Sequence, residues 1–260
     1  MRPQYEEMLA RGQVAKARCL YRGEFATDLG AVFTNLDAVF CLRAKQIEPG
    51  LWWLREPRPR ESVVIGIDFG KHDDKTVVVV FSRQTLEMLA LLRIERTDYL
   101  YQLPMIDRVI KRFPLRQIWS EGRDETAAEL IRTMYGKDCV NLVKMSHTGQ
   151  FGKGKVIERG MDYCQRGAWQ MIDAPWLREE FRLFERTKTP KGNWDYSAPK
   201  TGHDDGVMAC MHAIYGLPLL PTEITKPRPA TSERNDFAAI ERMLAPRGEP
   251  RKNVFVVRRS

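Results

Sequence analysis

Three hydrophobic runs in close succession, at 62–68, 76–81 and 86–94, limit the folds open to this chain more than any other feature. Each is rich in β-branched and aliphatic residues, and each is about one strand long. Only short, turn-like stretches such as Ser82-Arg83-Gln84 separate them. Runs joined this closely read as an antiparallel meander, because a parallel pair needs a crossover of a dozen or more residues. The period then changes. Leu103, Ile106, Val109, Ile110 and Phe113 recur at helical spacing over 99–113, and a fourth strand at 115–120 stops at Glu121. A second amphipathic helix spans 125–134, and a fifth strand spans 139–145.

Further helices follow at 155–166 and 175–186, with a short extended piece at 169–172 between them. A hairpin at 186–197 turns on Gly192-Asn193, and a last helix runs over 203–215. Three meandering strands, then helix, strand, helix, strand and more helices, is the ribonuclease H-like order. The expected fold is therefore α/β: a mixed five-stranded sheet flanked by helices, with an added β-hairpin.

Residues 61–220 carry nearly all of this pattern. Residues 1–60 read as a connecting segment, closed by Glu56-Pro57-Arg58-Pro59-Arg60. Residues 221–260 read as a basic, Pro-rich tail with one short helix near 237–244. The longest aliphatic run, Val77-Val78-Val79-Val80-Phe81, is far shorter than the roughly 20 residues a bilayer crossing takes. The N-terminus lacks a secretory leader, so a soluble protein is expected. Five scattered cysteines, Cys19, Cys41, Cys139, Cys164 and Cys210, form no C-x-x-C pair and point to a reducing cytoplasm. With 42 Lys+Arg against 34 Asp+Glu, the net charge of +8 favours a polyanionic partner.

Open α/β sheets place their chemistry at the ends of central strands. Asp68 ends the first strand and Glu121 the fourth, and in this topology those strands are neighbours. Asp204 and Asp205 open the last helix, which packs beside the first strand, so the acids converge. Like charges gathered this way call for a cation, and hard oxygen ligands suit Mg²⁺ or Mn²⁺. Two such ions about 3.5–4 Å apart activate water and stabilise the leaving oxygen of a phosphodiester. The plain alternative assigns Asp68 to a turn cap, Glu121 to the surface and Asp204 to an N-cap.

Ile65-Gly66-Ile67-Asp68-Phe69-Gly70, with Asp73-Asp74-Lys75-Thr76-Val77-Val78-Val79 after it, resembles the opening of the nuclease domain of bacteriophage terminase large subunits. Trp119-Ser120-Glu121-Gly122 is similar to their second acidic motif, and Gly202-His203-Asp204-Asp205-Gly206-Val207-Met208-Ala209 to their closing one. The resemblance covers roughly 18–216, including a 21–33 stretch like the passage from the packaging ATPase into the nuclease. It implies metal-dependent endonucleolytic cleavage of concatemeric double-stranded viral DNA in the host bacterial cytoplasm, by an enzyme that is not part of the mature virion. Asp68, Glu121 and one of Asp204 or Asp205 are implied as metal ligands, with Asp74 and His203 as possible auxiliaries. The implied partners are DNA, an ATPase domain, a portal protein and a small terminase subunit. No convincing ATPase domain is visible, so the resemblance is to the C-terminal portion alone.

Gly149-Gln150-Phe151-Gly152-Lys153-Gly154-Lys155-Val156 nearly spells a P-loop, but Val156 stands where the Mg²⁺-holding hydroxyl belongs. Lys153 and Lys155 read instead as contacts to DNA phosphates or as a plain basic loop. Lys188 and Lys191 on the hairpin, beside Trp194, are candidate electrostatic guides for a duplex. Other readings are a Holliday-junction resolvase or transposase of the same fold, a sugar-kinase or actin-like ATPase, and a non-catalytic DNA-docking module. The ATPase reading lacks a second Gly-rich motif, and the complete acid set argues against simple docking. Trp52, Trp53, Phe181 and Phe184 read as packing residues, and His147 as an ordinary loop residue.

Overall fold

The computed structural model describes residues 31–70, 74–95, 97–121, 125–143, 152–188, 194–199 and 202–220. The 1–30 and 221–260 segments lie outside it, with Cys19, Asp73, His147 and Lys191. Their expected roles stay with the sequence.

The elements in chain order are α1 (Leu36–Val39), β1 (Lys45–Glu48), β2 (Leu51–Trp53), β3 (Val63–Asp68), β4 (Thr76–Ser82), β5 (Met88–Ile94), α2 (Tyr99–Ile110), β6 (Arg116–Glu121), α3 (Glu125–Tyr135) and β7 (Val140–Val143). They continue with α4 (Lys153–Gln165), α5 (Pro175–Leu183), β8 (Glu185–Lys188), β9 (Trp194–Ser197) and α6 (Asp205–Ile214). One sheet has the order β1-β2-β5-β4-β3-β6-β7, and β8-β9 forms a separate hairpin. β3, β4 and β5 are the antiparallel meander the short loops require, whereas β6 and β7 join in parallel after helical crossovers. The fold is the expected ribonuclease H-like one.

The sheet has seven strands, two more than the expected five. The added pair comes from the stretch read as connecting: β2 lies antiparallel on β5, with Leu51 opposite Leu92 and Trp53 opposite Ala90. These strands are three and four residues long, too short to show a period. Val32, Phe33, Val39 and Phe40 from the same stretch are buried among Phe181, Phe184 and Trp169. Residues 54–62 are pinned by Arg55, whose guanidinium grips both carboxylate oxygens of Glu61 (2.7 and 2.8 Å) and reaches Glu87 (2.7 Å).

Strand alternation gives the central strands two apolar faces. Val63, Ile65, Ile67, Val78 and Val80 face α2 and α3. Val64, Val77, Val79 and Phe81 face α4, α5 and α6. Trp53 stacks on Phe113 on the first side and Trp52 meets Trp176 on the second, so both tryptophans pack as expected. Helix boundaries differ from the sequence reading in places. α2 ends at Ile110, with 111–113 as a closing turn. α5 ends at Leu183, and Phe184 turns inward before β8. α4 begins at Lys153, so Lys153 and Lys155 belong to its first turn and not to a loop. Val156 is buried in the core, which accounts for an apolar residue at the position a P-loop gives to a hydroxyl.

Candidate metal centre

β3 and β6 run parallel with Ile67 opposite Ser120, so Asp68 and Glu121 leave the same sheet edge one residue later. Alternation turns both carboxylates to the face shared by Val64 and Trp119, the face that α6 covers. Gly66 sets how closely the helix comes. A β-carbon there would overlap the Ala209 carbonyl oxygen and stand 2.7 Å from the Ala213 nitrogen. Its absence lets the α6 backbone rest on β3 and brings side chains of the helix to the strand ends.

One of them is His212, wholly buried, whose Nε2 lies 3.6 Å from Asp68 Oδ1. A donor atom from each of Asp68, Glu121 and His212 falls within 4.8 Å of the other two. Asp205 lies two helical turns earlier and feels the Asp68 charge. Burial pushes its carboxyl up to about 7, with further upward pressure from Asp68, Asp74 and Asp204, against one bond from the Lys75 amide. Asp204 is differently placed: its Oδ2 accepts the Ala198 N–H at 3.3 Å, which ties the base of the β8-β9 hairpin to the start of α6. Burial also raises the Asp204 carboxyl, and the Lys153 charge pulls it back. His203 stands 3.7 Å from Asp205 Oδ2.

Of the sequence candidates, then, Asp68 and Glu121 come together, and the charges of Asp68, Asp74 and Asp204 act on Asp205. Lys153 is near Asp204, whereas Lys155 is exposed on α4. Lys188 closes β8, and its side chain, like Lys191, lies outside what is described.

Two site residues were not expected. His212 sits in the apolar run Ala209-Cys210-Met211-His212-Ala213, and only its seven-residue spacing from Asp205 hints that both share a helix face. Glu180 on α5 is buried and accepts the Gly206 N–H at 2.8 Å, holding the first turn of α6. Burial pushes its carboxyl up to about 8, against the pull of Gly206, Arg93 and Lys75. Gly206 has no room for a side chain, since a β-carbon would collide with Leu177 and stand 2.7 Å from Glu180 Oε2.

The loop that carries Asp68 is held from the other layer. Buried Gln102 donates to the Gly70 and Thr97 carbonyls (2.9 and 2.6 Å), while Thr76 Oγ1 accepts the Gly70 N–H at 2.9 Å. These bonds fix the chain two residues beyond Asp68.

The donor set fits a divalent cation. Facing carboxylates taken out of water repel unless a positive charge lies between them. Asp205 Oδ2 and both ring nitrogens of His212 are buried without a hydrogen-bond partner among the described residues. Carboxylate and imidazole donors together suit ions from Mg²⁺ and Mn²⁺ to Co²⁺ and Zn²⁺.

A mixed sheet in this strand order, with acids at the ends of its two central parallel strands and on the closing helix, defines a ribonuclease H-like domain with an acidic cluster at one sheet edge. The chain belongs to the terminase RNaseH-like domain family, whose model it matches over 65–216, more than half of its length. It is 24% identical over 193 residues to the large terminase subunits of Thermus virus P23-45 and Thermus phage G20c. Those matches take in 73% of this chain and 38% of each relative, so the chain spans about two fifths of their length. The large terminase nuclease of thermophilic phage G20c with bound magnesium has the same fold, with a TM-score of 0.65 at 21% identity over 73% of this chain and 99% of that one. The large terminase nuclease domain of Thermus phage P74-26 gives 0.63 at 22% identity over 72% and 95%.

Proposed function

We propose that this domain is a metal-dependent endodeoxyribonuclease of a phage DNA-packaging machine, and that it hydrolyses double-stranded DNA at a two-metal centre. The observation that carries the reading is the meeting of Asp68 and Glu121 from neighbouring parallel strands, with Asp205 on α6 near enough for the Asp68 charge to act on its carboxyl. Family membership supports a terminase role, and the magnesium, cobalt and zinc named for the G20c nuclease support a divalent ion. Bound at such a site, the ions supply an activated water and neutralise charge on the scissile phosphate. Asp68, Glu121 and Asp205 would hold them. Glu180 and the Gly66 contact hold α6 in place. Lys153, at the start of α4, offers a phosphate contact beside Asp204, and phosphate contacts carry no base information, so cleavage itself is sequence-tolerant. Site choice then belongs to partners: an ATPase domain, the portal and a small terminase subunit, working in the host cytoplasm.

The test is supercoiled plasmid incubated with the protein and Mg²⁺, Mn²⁺ or EDTA, beside Asp68→Ala. Nicking and linearisation that require metal and disappear in the variant are expected. Equal cutting by the variant would rule out this centre as the source of activity.

A further inference from the structure

His212 has no role in the reading above, and its surroundings demand one. The imidazole is completely buried on the sheet side of α6, and neither ring nitrogen has a hydrogen-bond partner among the described residues. Buried polar atoms are almost always paired, so an orphan of this kind points to a water or an ion. Nε2 stands 3.6 Å from Asp68 Oδ1, too far for a hydrogen bond and close enough for two ligands of one ion. Glu121 supplies a third donor within 4.8 Å of both, whereas Asp205 is not in that group. The helix explains the division. Seven residues at 1.5 Å rise separate the α-carbons of 205 and 212 by roughly 10 Å, so the two side chains approach Asp68 from different turns of α6.

We propose that His212 is a nitrogen ligand of the inner metal position, which it shares with Asp68 and Glu121, and that it biases this position toward Mn²⁺, Co²⁺ or Zn²⁺ over Mg²⁺. The inference rests on the metal-dependent reading of the same site. Mg²⁺ is held by oxygen and keeps several waters. Imidazole favours the borderline ions, and a ring buried on the protein side of the site leaves little room for a hydration shell.

Pulsed EPR of Mn²⁺ bound to the full chain decides the matter, because imidazole coordination couples ¹⁴N to the electron spin. The chain has four histidines. In the His72→Gln/His147→Gln/His203→Gln variant the coupling persists, since His212 alone remains. In His212→Gln it vanishes while Mn²⁺ still binds, and calorimetric preference for Mn²⁺ over Mg²⁺ falls by about tenfold or more. Should His212→Gln fail to fold, the triple variant still decides. Bound Mn²⁺ without ¹⁴N coupling in the wild type, or coupling lost in the triple variant, overturns the role of His212 and leaves the acidic centre standing. Failure of Asp68→Ala to weaken Mn²⁺ binding overturns the metal centre, and this role with it.

Discussion

Gly66 and Ala209 are in backbone contact: where β3 passes under α6, the Ala209 carbonyl oxygen occupies the space a β-carbon on Gly66 would fill. The contact links packing to the site, because Asp68 is two residues further along the same strand face and His212 three residues further along the helix. Gly66→Ala must push α6 outward. Overpacking of this kind costs about 2–3 kcal/mol. In a domain of this size that lowers Tm by roughly 5–10 °C. Thermal melts with and without Mn²⁺ check it: the metal-induced rise in Tm should shrink as well, because the donors are drawn apart. A variant that melts early but keeps the full metal-induced rise would uncouple the helix from the centre.

The acids are expected to behave unequally. Asp205 feels the Asp68 charge, whereas Asp204 spends an oxygen on the Ala198 amide. Asp68→Asn and Asp205→Asn should each lower plasmid cleavage roughly a hundredfold or more, with Asp204→Asn less damaging. Stability should move the other way. Without metal, removing one of the crowded charges raises stability by about 1 kcal/mol, and saturating Mn²⁺ reverses the order. Urea denaturation of the three variants, with and without metal, reads both signs.

The sequence announces Asp68, Glu121 and the acid pair because each stands where an apolar period stops, and local pattern is enough to find such a position. His212 and Glu180 lie inside apolar helix faces, and their importance comes from residues far along the chain. Glu180 meets Gly206 across 26 positions, and His212 meets Asp68 across more than a hundred. A local period carries no information about such pairs. The same reason hides β1 and β2. Lys45–Glu48 is half-charged and Leu51–Trp53 has three residues, so only the open edge of β5 makes them strands. The meander, by contrast, is dictated by loops too short for anything else.

Acid stability has an identifiable origin in Glu61. Burial alone would raise its carboxyl, but Arg55, Ser82 and the Arg58 amide together bring it down to about 2 from an ordinary 4.5. A folded-state value below the unfolded one stabilises the protein above pH 4.5, and that stabilisation is lost as pH falls toward 2. The contribution is of order 2–3 kcal/mol. Arg55→Ala strands Glu61 and should cost about 3 kcal/mol at pH 7. It should also flatten the fall in stability between pH 4.5 and 2, since the carboxyl then no longer titrates below its ordinary range. Unfolding free energies measured across that interval give the slope directly; an unchanged slope in the variant would assign the acid limb to other groups.

Lys153 is the basic residue whose charge reaches Asp204, and it sits in the first turn of α4, where free backbone N–H groups also favour an anion. A duplex laid across the acidic centre would therefore meet α4 end-on, with Lys155 exposed one residue beyond Gly154. Each phosphate neutralised contributes about 0.9 to the slope of log K against log salt. Replacing Lys153 and Lys155 by Ala should then weaken binding of a random-sequence duplex and lower that slope by up to about 2. Titrations of Asp68→Asn protein at several salt concentrations, which avoid cleavage, measure it. Replacing Lys188 and Lys191 in the same background separates the hairpin from the helix. A slope that falls only with the hairpin pair would move the DNA path from α4 to β8-β9, and a slope unchanged by either pair would place the duplex elsewhere on the basic surface.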